Sequence, residues 1–234
     1  MSIGFLSRFI AVAVFALGLA QSSSADTIRV TLEFEPDLEN GKEIFEVCAS
    51  CHLPEGWGHS DGTYPQLAGQ HQNVLMQQLL DIRSGKRINN IMYPYVQERT
   101  IGGYQSLADV VGYISTLPMT PNHGRGPWKP GSPEYEAGKN TYQRICAGCH
   151  GEKAEGSDTA GFPKLQGQHF NYLKNQTSMI KSGRRESNVM GPIIHPLTQE
   201  TVAEILNYIS YIELPTTVAD TASPSASSAE AEKQ

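Results

Sequence analysis

The feature that most constrains the fold of this chain is a short motif that occurs twice. Each copy places two cysteines three positions apart and a histidine directly after the second cysteine. The two copies are Cys48, Cys51 and His52, and Cys146, Cys149 and His150. They include all 4 cysteines of the 234-residue chain. A thiol pair with an adjacent imidazole, present twice, indicates that each copy holds the same kind of group.

The motif lies within a longer internal repeat, which predicts two similar domains. With a constant shift of 98 residues, the halves align without a gap from Cys48 to Met92 of the first half. The matched segments are "PQLAGQH" (65–71) with "PKLQGQH" (163–169), "SGKR" (84–87) with "SGRR" (182–185), and "NIM" (90–92) with "NVM" (188–190). We expect one domain at residues 26–118 and another at residues 133–215, joined by a Pro- and Gly-rich linker at residues 119–132.

Both ends of the chain are expected to lie outside the fold. Arg8 precedes the apolar run "FIAVAVFALGLA", and small residues follow, which is typical of a secretory signal peptide at residues 1–25, cleaved near Ala25. The alternative is an uncleaved membrane anchor, but about 12 apolar residues are fewer than the roughly 20 that span a bilayer. Residues 216–234 contain one large apolar residue, Val218, and are expected to be disordered. We therefore expect an exported protein.

Helical punctuation predicts three helices in each half, and an all-α fold follows because no convincing run of strands accompanies them. The first helix carries the cysteine motif and begins, in the second half, with Ser132 as N-cap and Pro133 as first residue. The second helix follows each "GQH" segment, and the third helix comes last in each half. The expected limits are Gly85 and Gly183 at the ends of the second helices, Ser106 and Thr198 at the starts of the third, and Pro118 and Pro215 at their ends.

The cysteine motif itself predicts the cofactor. A domain of about 90 residues with three short helices buries a small core and usually needs a staple or a ligand. The spacing C-x-x-C-H is the attachment signal of a c-type haem, whose two vinyl groups take one thiol each while the histidine binds the iron. The sequence thus predicts two covalently bound haem c groups. The attachment residues are Cys48, Cys51, Cys146 and Cys149, with His52 and His150 as iron ligands.

Three other uses of the cysteines stay open at this point. Export to an oxidising compartment favours disulfides, although these would leave the adjacent histidine unexplained in both copies. A thioredoxin-like dithiol would need a βαβ pattern, which the sequence lacks. A zinc site would have to join both motifs, although the two halves otherwise look self-contained.

The repeat also predicts the second iron ligand in each half. Among the methionines after residue 25, only Met92 and Met190 align with each other, each forty residues past its histidine. A single methionine would more simply fill a core, but two at matched positions favour iron ligation. His71 and His169 are matched as well, so ligation by two histidines is the alternative. Because each of these histidines directly precedes a predicted helix, a capping or solvated role is favoured.

Charge excludes one class of partner. The chain has 18 basic and 24 acidic residues, for a net charge of -6. Removal of the signal peptide removes Arg8 and no acidic residue, so 17 basic residues remain against 24 acidic ones and the net charge becomes -7. A balance of this sign excludes nucleic-acid binding through bulk charge.

Together these motifs resemble those of the dihaem cytochromes c of the c4 type. The match covers about residues 40–215 and includes both C-x-x-C-H sites, both "P-x-L-x-G-Q-H" segments, both "SG-[KR]-R" turns and both aligned methionines. The resemblance implies two tandem class I cytochrome c domains, each wrapped around one covalent haem, in the bacterial periplasm. It also implies a protein that is not an enzyme and that carries single electrons between membrane respiratory complexes, commonly toward a terminal oxidase.

The resemblance assigns roles to further residues. The carbonyls of Pro65 and Pro163 would accept a hydrogen bond from the axial histidines and orient them. A set of basic residues would neutralise haem propionates, against the simpler interpretation that they are solvated helix ends. These residues are Lys86, Arg87, Arg184 and Arg185.

Two features depart from the usual pattern of that family. Leu53 follows the first motif histidine, whereas Gly151 follows the second. Gly41 stands seven residues before the first cysteine of its half, whereas Gly138 stands eight residues before that of the second half. We therefore expect the packing around the first haem to differ from that around the second.

Two rival functions would use related modules. The electron-accepting haem subunit of a periplasmic dehydrogenase, which oxidises a sulfur compound, sulfide or an alcohol, would have the same dihaem domains, and a co-purifying larger subunit would reveal it. A dihaem peroxidase would need one open haem, and the two aligned methionines speak against this. We expect redox proteins as partners, either membrane respiratory complexes or a periplasmic dehydrogenase; peripheral contact with a membrane stays open.

Overall fold

The chain folds into helices joined by turns. The computed structural model describes residues 34–215, within which no strand forms and the only extended pairings are isolated bridges. The predicted signal peptide at residues 1–25 and the predicted disordered tail at residues 216–234 lie outside the described residues. The expected all-α fold class is confirmed.

Within residues 34–215 the first half has four helices and the second half has five. The helices of the first half are α1 (Leu38–His52), α2 (Gln72–Ser84), α3 (Glu98–Ile101) and α4 (Tyr104–Thr116). Those of the second half are α5 (Pro133–Ile145), α6 (Ala147–His150), α7 (Phe170–Lys181), α8 (Met190–Ile194) and α9 (Gln199–Ile209). In each half the first long helix packs against the last helix, α1 on α4 and α5 on α9.

Side-chain caps explain where several helices begin. The hydroxyl of Ser132 accepts a hydrogen bond from the N–H of Tyr135, and that of Thr198 accepts one from the N–H of Thr201. These bonds satisfy N–H groups that have no partner inside a helix. The predicted caps at Ser132 and Thr198 are confirmed. Gly85 is also confirmed as the left-handed residue that ends α2, with φ of 83°.

Two predicted limits of the third helices were wrong. Helix α4 begins at Tyr104, two residues before Ser106, because Gly102 (φ 92°) breaks the preceding helix and the chain re-enters the helical region directly afterwards. Helix α9 ends at Ile209, well before Pro215. The next residue, Ser210, bonds to the linker: its carbonyl accepts a hydrogen bond from Nε2 of His123, and its hydroxyl accepts one from the N–H of Gly126.

Two other predicted ends lie closer to the observed ones. Helix α4 ends at Thr116, and Leu117 is extended directly before Pro118, as expected of a residue that precedes proline. Helix α7 ends at Lys181, with Ser182 as its cap, one residue earlier than the predicted stop at Gly183.

A glycine lets the first and last helices of each half cross closely. A Cβ on Gly41 would lie 2.1 Å from the backbone oxygen of Asp109, and a Cβ on Gly138 would lie 2.0 Å from that of Glu204. Both crossings therefore need glycine, although the two glycines stand at different distances from their cysteine motifs. The structure accommodates the extra residue of the second half by a break at Cys146, where α5 ends and α6 begins, whereas α1 continues to its histidine.

Each half has its own apolar core. The core of the first half contains Phe45, Leu75, Met76, Leu107, Ala108, Val110, Val111 and Ile114. The core of the second half contains Tyr142, Ala154, Phe170, Leu173, Ile180, Ile194, Val202, Ile205, Leu206, Tyr208 and Ile209. Because these side chains come from all the long helices, burial of the two cores holds the helices around the space beside each cysteine motif.

The segment predicted as a linker, residues 119–132, is hydrogen bonded along its length. Its Thr120 N–H donates to the side-chain oxygen of Gln66 in the first half. Farther along, Trp128 exchanges two hydrogen bonds with the side chain of Asn207 in the second half. The segment therefore contacts both halves through specific bonds. The exact boundaries of the two domains stay a prediction.

Hydrogen bonds between the halves follow the repeat. The side-chain amide of Gln168 pairs with the backbone N–H and C=O of Gln66, and the side-chain amide of Gln70 pairs in the same way with Lys164. A shift of 98 residues converts one pair into the other with the roles of the halves exchanged. The two halves thus meet through equivalent surfaces, as the two subunits of a symmetric dimer do.

A second pair of contacts repeats this relationship at the "SGKR" and "SGRR" turns. The N–H of Ile88 donates to the carbonyl of Arg184, and the N–H of Glu186 donates to the carbonyl of Lys86. The matched sequences of these turns therefore form part of the interface between the halves.

Candidate functional site

The first half contains a crevice that collects its predicted site residues. Cys48, Cys51, His52, Pro65 and Met92 all line a cavity of about 570 Å³. This volume lies within the range of roughly 300 to 1,000 Å³ that is usual for cofactor sites. The residues present fit a haem group in both volume and chemistry.

The second half contains a smaller crevice with the matching residues. Cys146, His150, Pro163 and Met190 line a cavity of about 140 Å³. Cys149 is exposed and lies outside that lining. Its N–H donates to the carbonyl of Cys146, the residue at which α5 ends and α6 begins, so the two cysteines are close in the backbone. In this half the fit to a haem group rests on the lining residues and not on the volume.

Each motif histidine is buried and held by a proline carbonyl. Nδ1 of His52 donates to the oxygen of Pro65 at 3.2 Å, and Nδ1 of His150 donates to the oxygen of Pro163 at 3.1 Å. A carbonyl can only accept, so Nδ1 carries the proton and Nε2 presents its lone pair. This is the tautomer that an iron ligand needs, and its orientation is set by the carbonyl.

Burial also sets the charge state of these rings. Desolvation lowers the pKa of His52, although the hydrogen bond to Pro65 opposes it, and nearby Arg87 lowers it further. Desolvation likewise lowers the pKa of His150, against the hydrogen bond to Pro163. Both rings are therefore neutral at pH 7, as metal coordination requires.

The thiols do not resemble those of a redox-active dithiol. All four cysteines are free, and burial raises the pKa of both Cys48 and Cys146 to about 11. A reactive dithiol would need a lowered pKa. The two motifs also line separate crevices, so they do not converge on one zinc ion.

The two aligned methionines occupy equivalent positions at the walls of the crevices. The N–H of Met92 donates to the side-chain oxygen of Asn89, and that of Met190 donates to the hydroxyl of Ser187. Asn89 and Ser187 are also 98 residues apart. Both methionines are half-buried. Asn89 and Ser187 thus have the same structural role, because each binds the backbone N–H of the methionine three residues later.

The matched histidines His71 and His169 lie at the interface between the halves, away from both cavity linings. Nε2 of His71 donates to the carbonyl of Glu155, and Nε2 of His169 donates to the carbonyl of Trp57, each at 2.8 Å. Trp57 and Glu155 are themselves 98 residues apart. The structure therefore speaks against ligation by two histidines. The repeated "GQH" segment is therefore part of the interface between the halves. In the sequence, the only indication of this role was that the segment occurs in both halves.

Of the four basic residues considered for haem propionates, three line a crevice. Arg87, which is buried, and Arg184, which is exposed, line the first crevice, whereas Arg185 lines the second; Lys86 is exposed and lines neither. Burial and the neighbouring Arg87 lower the pKa of Arg185 to about 10. Nε of Arg87 is buried without a hydrogen-bond partner within the part of the chain that the structure describes. An unpaired buried donor beside the crevice fits the carboxylate edge of a haem.

The two crevices adjoin each other across the interface, which the sequence did not predict. Six residues line both cavities: Pro65, Leu67, Leu75, Gln78, Tyr172 and Gln176. Each half therefore contributes part of the wall of the other half's crevice. No local pattern in the sequence could have indicated this shared wall.

Family models match both halves. Residues 38–118 match the model described as Cytochrome c, and residues 133–209 match the model described as Cytochrome C oxidase, cbb3-type, subunit III.

Two relatives match most of the chain. Cytochrome c4 of Pseudomonas aeruginosa is 31% identical over 183 residues, which cover 74% of this chain and 87% of the relative. The thiosulfate dehydrogenase electron acceptor of Stutzerimonas stutzeri is 29% identical over 208 residues, which cover 80% of this chain and 93% of the relative.

A solved structure shows the same architecture. The crystal structure of reduced recombinant cytochrome c4 from Pseudomonas stutzeri superposes with a TM-score of 0.64 at 27% sequence identity. The match covers 75% of this chain and 98% of that chain.

Proposed function

The chain belongs to the cytochrome c4 family, and we propose that it carries single electrons through the periplasm between redox partners, toward a terminal oxidase. It is an electron-transfer protein with two covalently bound haem c groups, as its relatives and family models indicate. The observation that carries the proposal is the pair of crevices, each lined by at least one cysteine of its motif, a buried neutral histidine and a methionine, and separated by a common wall.

The proposed ligand sets follow the geometry of the crevices. His52 and Met92 would bind the iron of the first haem, and His150 and Met190 that of the second. The four cysteines would form the thioether links, two for each haem. Support comes from the Nε2 lone pairs of both histidines and from the place of each methionine on the same cavity lining as its histidine.

These ligand sets favour electron transfer over catalysis. Haem c supplies one-electron redox chemistry, and the protein supplies its binding, orientation and electrostatics. With a histidine and a methionine as its two protein ligands, each haem iron would have no open position for a substrate and a raised reduction potential. The common wall of the two crevices favours passage of an electron from one site to the other within the molecule.

The proposed location is the periplasm. The sequence at residues 1–25 has the pattern of a signal peptide, and haem c attachment motifs occur in both halves. None of the helices within residues 34–215 has the length and apolar character needed to cross a bilayer.

A second candidate is an electron-accepting haem subunit that works with a periplasmic dehydrogenase. The similarity to the thiosulfate dehydrogenase electron acceptor of Stutzerimonas stutzeri favours it, because the match spans 93% of that protein. Under this alternative the same two haem sites would take electrons from a partner that carries out the oxidation.

The test begins with protein purified from the periplasm of the native host. We expect a mature chain that starts near residue 26, carries the added mass of two haems and shows reduced absorption bands of the c type. Reduction of the purified protein by membranes that contain a respiratory electron donor, and its reoxidation by membranes that contain a terminal oxidase, would support the carrier role. Stable co-purification of a larger catalytic subunit would favour the second candidate, and a mass without two haems would contradict both.

A further inference from the structure

We propose that Gln70 and Gln168 are positioning residues that act across the interface. Each holds the peptide group that orients the axial histidine of the other half. The inference rests on the proposed ligation of iron by His52 and His150.

The first chain of hydrogen bonds runs from the second half to the first crevice. Oε1 of Gln168 accepts from the N–H of Gln66 at 3.0 Å, and Nε2 of Gln168 donates to the carbonyl of Gln66 at 2.8 Å. The N–H of Gln66 belongs to the same peptide group as the carbonyl of Pro65. That carbonyl accepts from Nδ1 of His52 at 3.2 Å. One peptide group therefore links the side chain of Gln168 to the ring of His52.

The second chain runs in the opposite direction. Oε1 of Gln70 accepts from the N–H of Lys164, and Nε2 of Gln70 donates to the carbonyl of Lys164, both at 2.9 Å. The peptide group between Pro163 and Lys164 accepts from Nδ1 of His150 at 3.1 Å. A shift of 98 residues converts one hydrogen-bond chain into the other, with the two halves exchanged. Chance is therefore a poor explanation for either arrangement.

Local backbone geometry aims both glutamines at the opposite half. Each follows a glycine in the left-handed region, Gly69 with φ of 66° and Gly167 with φ of 74°. A side chain on either glycine would clash with Met119 of the linker, at 2.7 Å from its nearest atom in both cases. The Gln168 and Gln66 side chains are 7% and 3% exposed, so water competes little for the bonds of the first chain.

These chains give each glutamine an electronic effect on the distant iron ligand. A peptide that donates through its N–H has a more negative carbonyl oxygen, because hydrogen bonds in a chain polarise one another. A stronger acceptor at Nδ1 makes the imidazole a more basic ligand and favours ferric over ferrous iron. Loss of the glutamine should therefore raise the reduction potential of the haem in the other half.

The test uses the holoprotein and two matched variants. In Gln168→Met the side chain keeps its length but loses the acceptor and the donor, and Gln70→Met makes the same change in the other half. We expect Gln168→Met to raise the potential of the haem bound by His52 more than that of the second haem, although Gln168 also lines the second crevice, and Gln70→Met to raise the potential of the haem bound by His150 and leave the first unshifted. Spectroelectrochemical titration measures both potentials, and the Met92→His and Met190→His variants assign each wave to its haem.

A spectroscopic readout separates orientation from general loosening. We expect the Nδ1 proton of His52 in Gln168→Met, and that of His150 in Gln70→Met, to exchange with deuterium faster than in the parent, as measured by proton NMR of the ferric protein. His71→Leu is the control, because it removes a bond across the same interface without touching either proline peptide. Both potentials should stay at the parent values in that variant. Gln70 is less buried than Gln168, so Gln70→Met keeps the test available if Gln168→Met does not fold.

Three results would overturn the inference: a shift confined to the haem in the glutamine's own half, equal shifts in both haems, or no shift in either. A parent protein without the spectrum of histidine and methionine ligation would instead contradict the proposed ligand sets. The two failures are therefore distinguishable.

Discussion

Arg87 and Arg185 oppose each other across the two halves. Their backbones form an antiparallel bridge, and both side chains donate a hydrogen bond to Oε1 of Gln176 at 2.9 Å. The other side-chain acceptors of Arg87 are Oε1 of Gln78 and the hydroxyl of Tyr172, which are neutral as well. Arg87 is buried and Arg185 is half-buried, and burial of an uncompensated charge is costly, so this pair of cations favours further negative charge beside that of Asp81. The propionates of the haems would supply it.

The first prediction tests this charge balance. Arg87→Gln should lower the potential of the first haem, and Arg185→Gln that of the second, because removal of a nearby cation favours the more positive ferric state. We expect a decrease of about 60 mV, which corresponds to a tenfold change in a one-electron equilibrium constant. Spectroelectrochemical titration measures it, with Lys86→Gln as control, because Lys86 is exposed and lines neither crevice. A potential that rises or stays constant would show that these arginines do not face the propionates.

The second prediction concerns the methionine ligands. Met92→His and Met190→His should each remove about half of the weak long-wavelength band of the ferric protein and lower the potential of one haem, because histidine in place of methionine favours ferric iron. Met76→Leu is the control, since Met76 is fully buried in the core and has no counterpart in the repeat. If His71→Ala changed the spectrum while Met92→Ala did not, ligation by two histidines would be correct.

The third prediction concerns covalent attachment. Cys48→Ser or Cys149→Ser would leave one thioether and one unreacted vinyl group on the haem of that half, so the reduced absorption band of that haem should lie at longer wavelength than in the parent. Cys149 is the sharper test, because its side chain is exposed and outside the lining of the second crevice. Absorption bands unchanged from the parent in both variants would refute thioether formation at these residues.

The fourth prediction concerns backbone strain at Leu53. Leu53 has φ of 66° and ψ of 156°, a region that only glycine adopts without strain, and the equivalent Gly151 has φ of 81° and ψ of 160°. We expect Leu53→Gly to raise the free energy of unfolding by about 1 kcal/mol, as measured by urea denaturation of the holoprotein. Gly151→Ala is the matched control and should lower it. A less stable Leu53→Gly variant would mean that packing of the leucine outweighs the strain.

The fifth prediction concerns stability at acid pH. Burial lowers the pKa of His169 below its ordinary value of 6.5, against a hydrogen bond to Trp57 and the charge of Asp61. Its ring donates through Nε2 and accepts the N–H of Gly124 at Nδ1, so protonation would break the second bond. The unfolded chain then binds this proton more tightly than the folded one. The contribution of the neutral His169 ring to the free energy of unfolding is therefore complete above about pH 6.5. It declines as the pH falls from there through the lower pKa of the folded state.

A variant isolates that contribution. His169→Gln should flatten the decline in the free energy of unfolding between about pH 7 and pH 5, measured by urea denaturation across that range. The exposed His195→Gln serves as control and should keep the slope of the parent. Burial also lowers the pKa of His123, so a smaller slope should remain in the His169 variant. A parent whose stability increases on acidification would contradict the prediction.

Several features of this protein follow from its sequence because neighbouring residues determine them. Ser132 and Thr198 begin helices because a hydroxyl reaches an N–H three residues later. Gly85 ends a helix because it adopts a left-handed conformation without strain. The spacing of Cys48, Cys51 and the following histidine suits one haem wherever the motif stands, and its repetition after 98 residues indicates a second.

Other features were decided only by the tertiary structure, because they join residues that are far apart in the chain. His71 contacts Glu155, 84 residues away, and Gln168 contacts Gln66, 102 residues away. The repeat showed that these side chains were matched, but a matched residue can face its own half, the solvent or the other half. Only the packing of one half against the other directs the glutamines and histidines across the interface. The same packing brings the two crevices to a common wall, since the residues of that wall come from both halves.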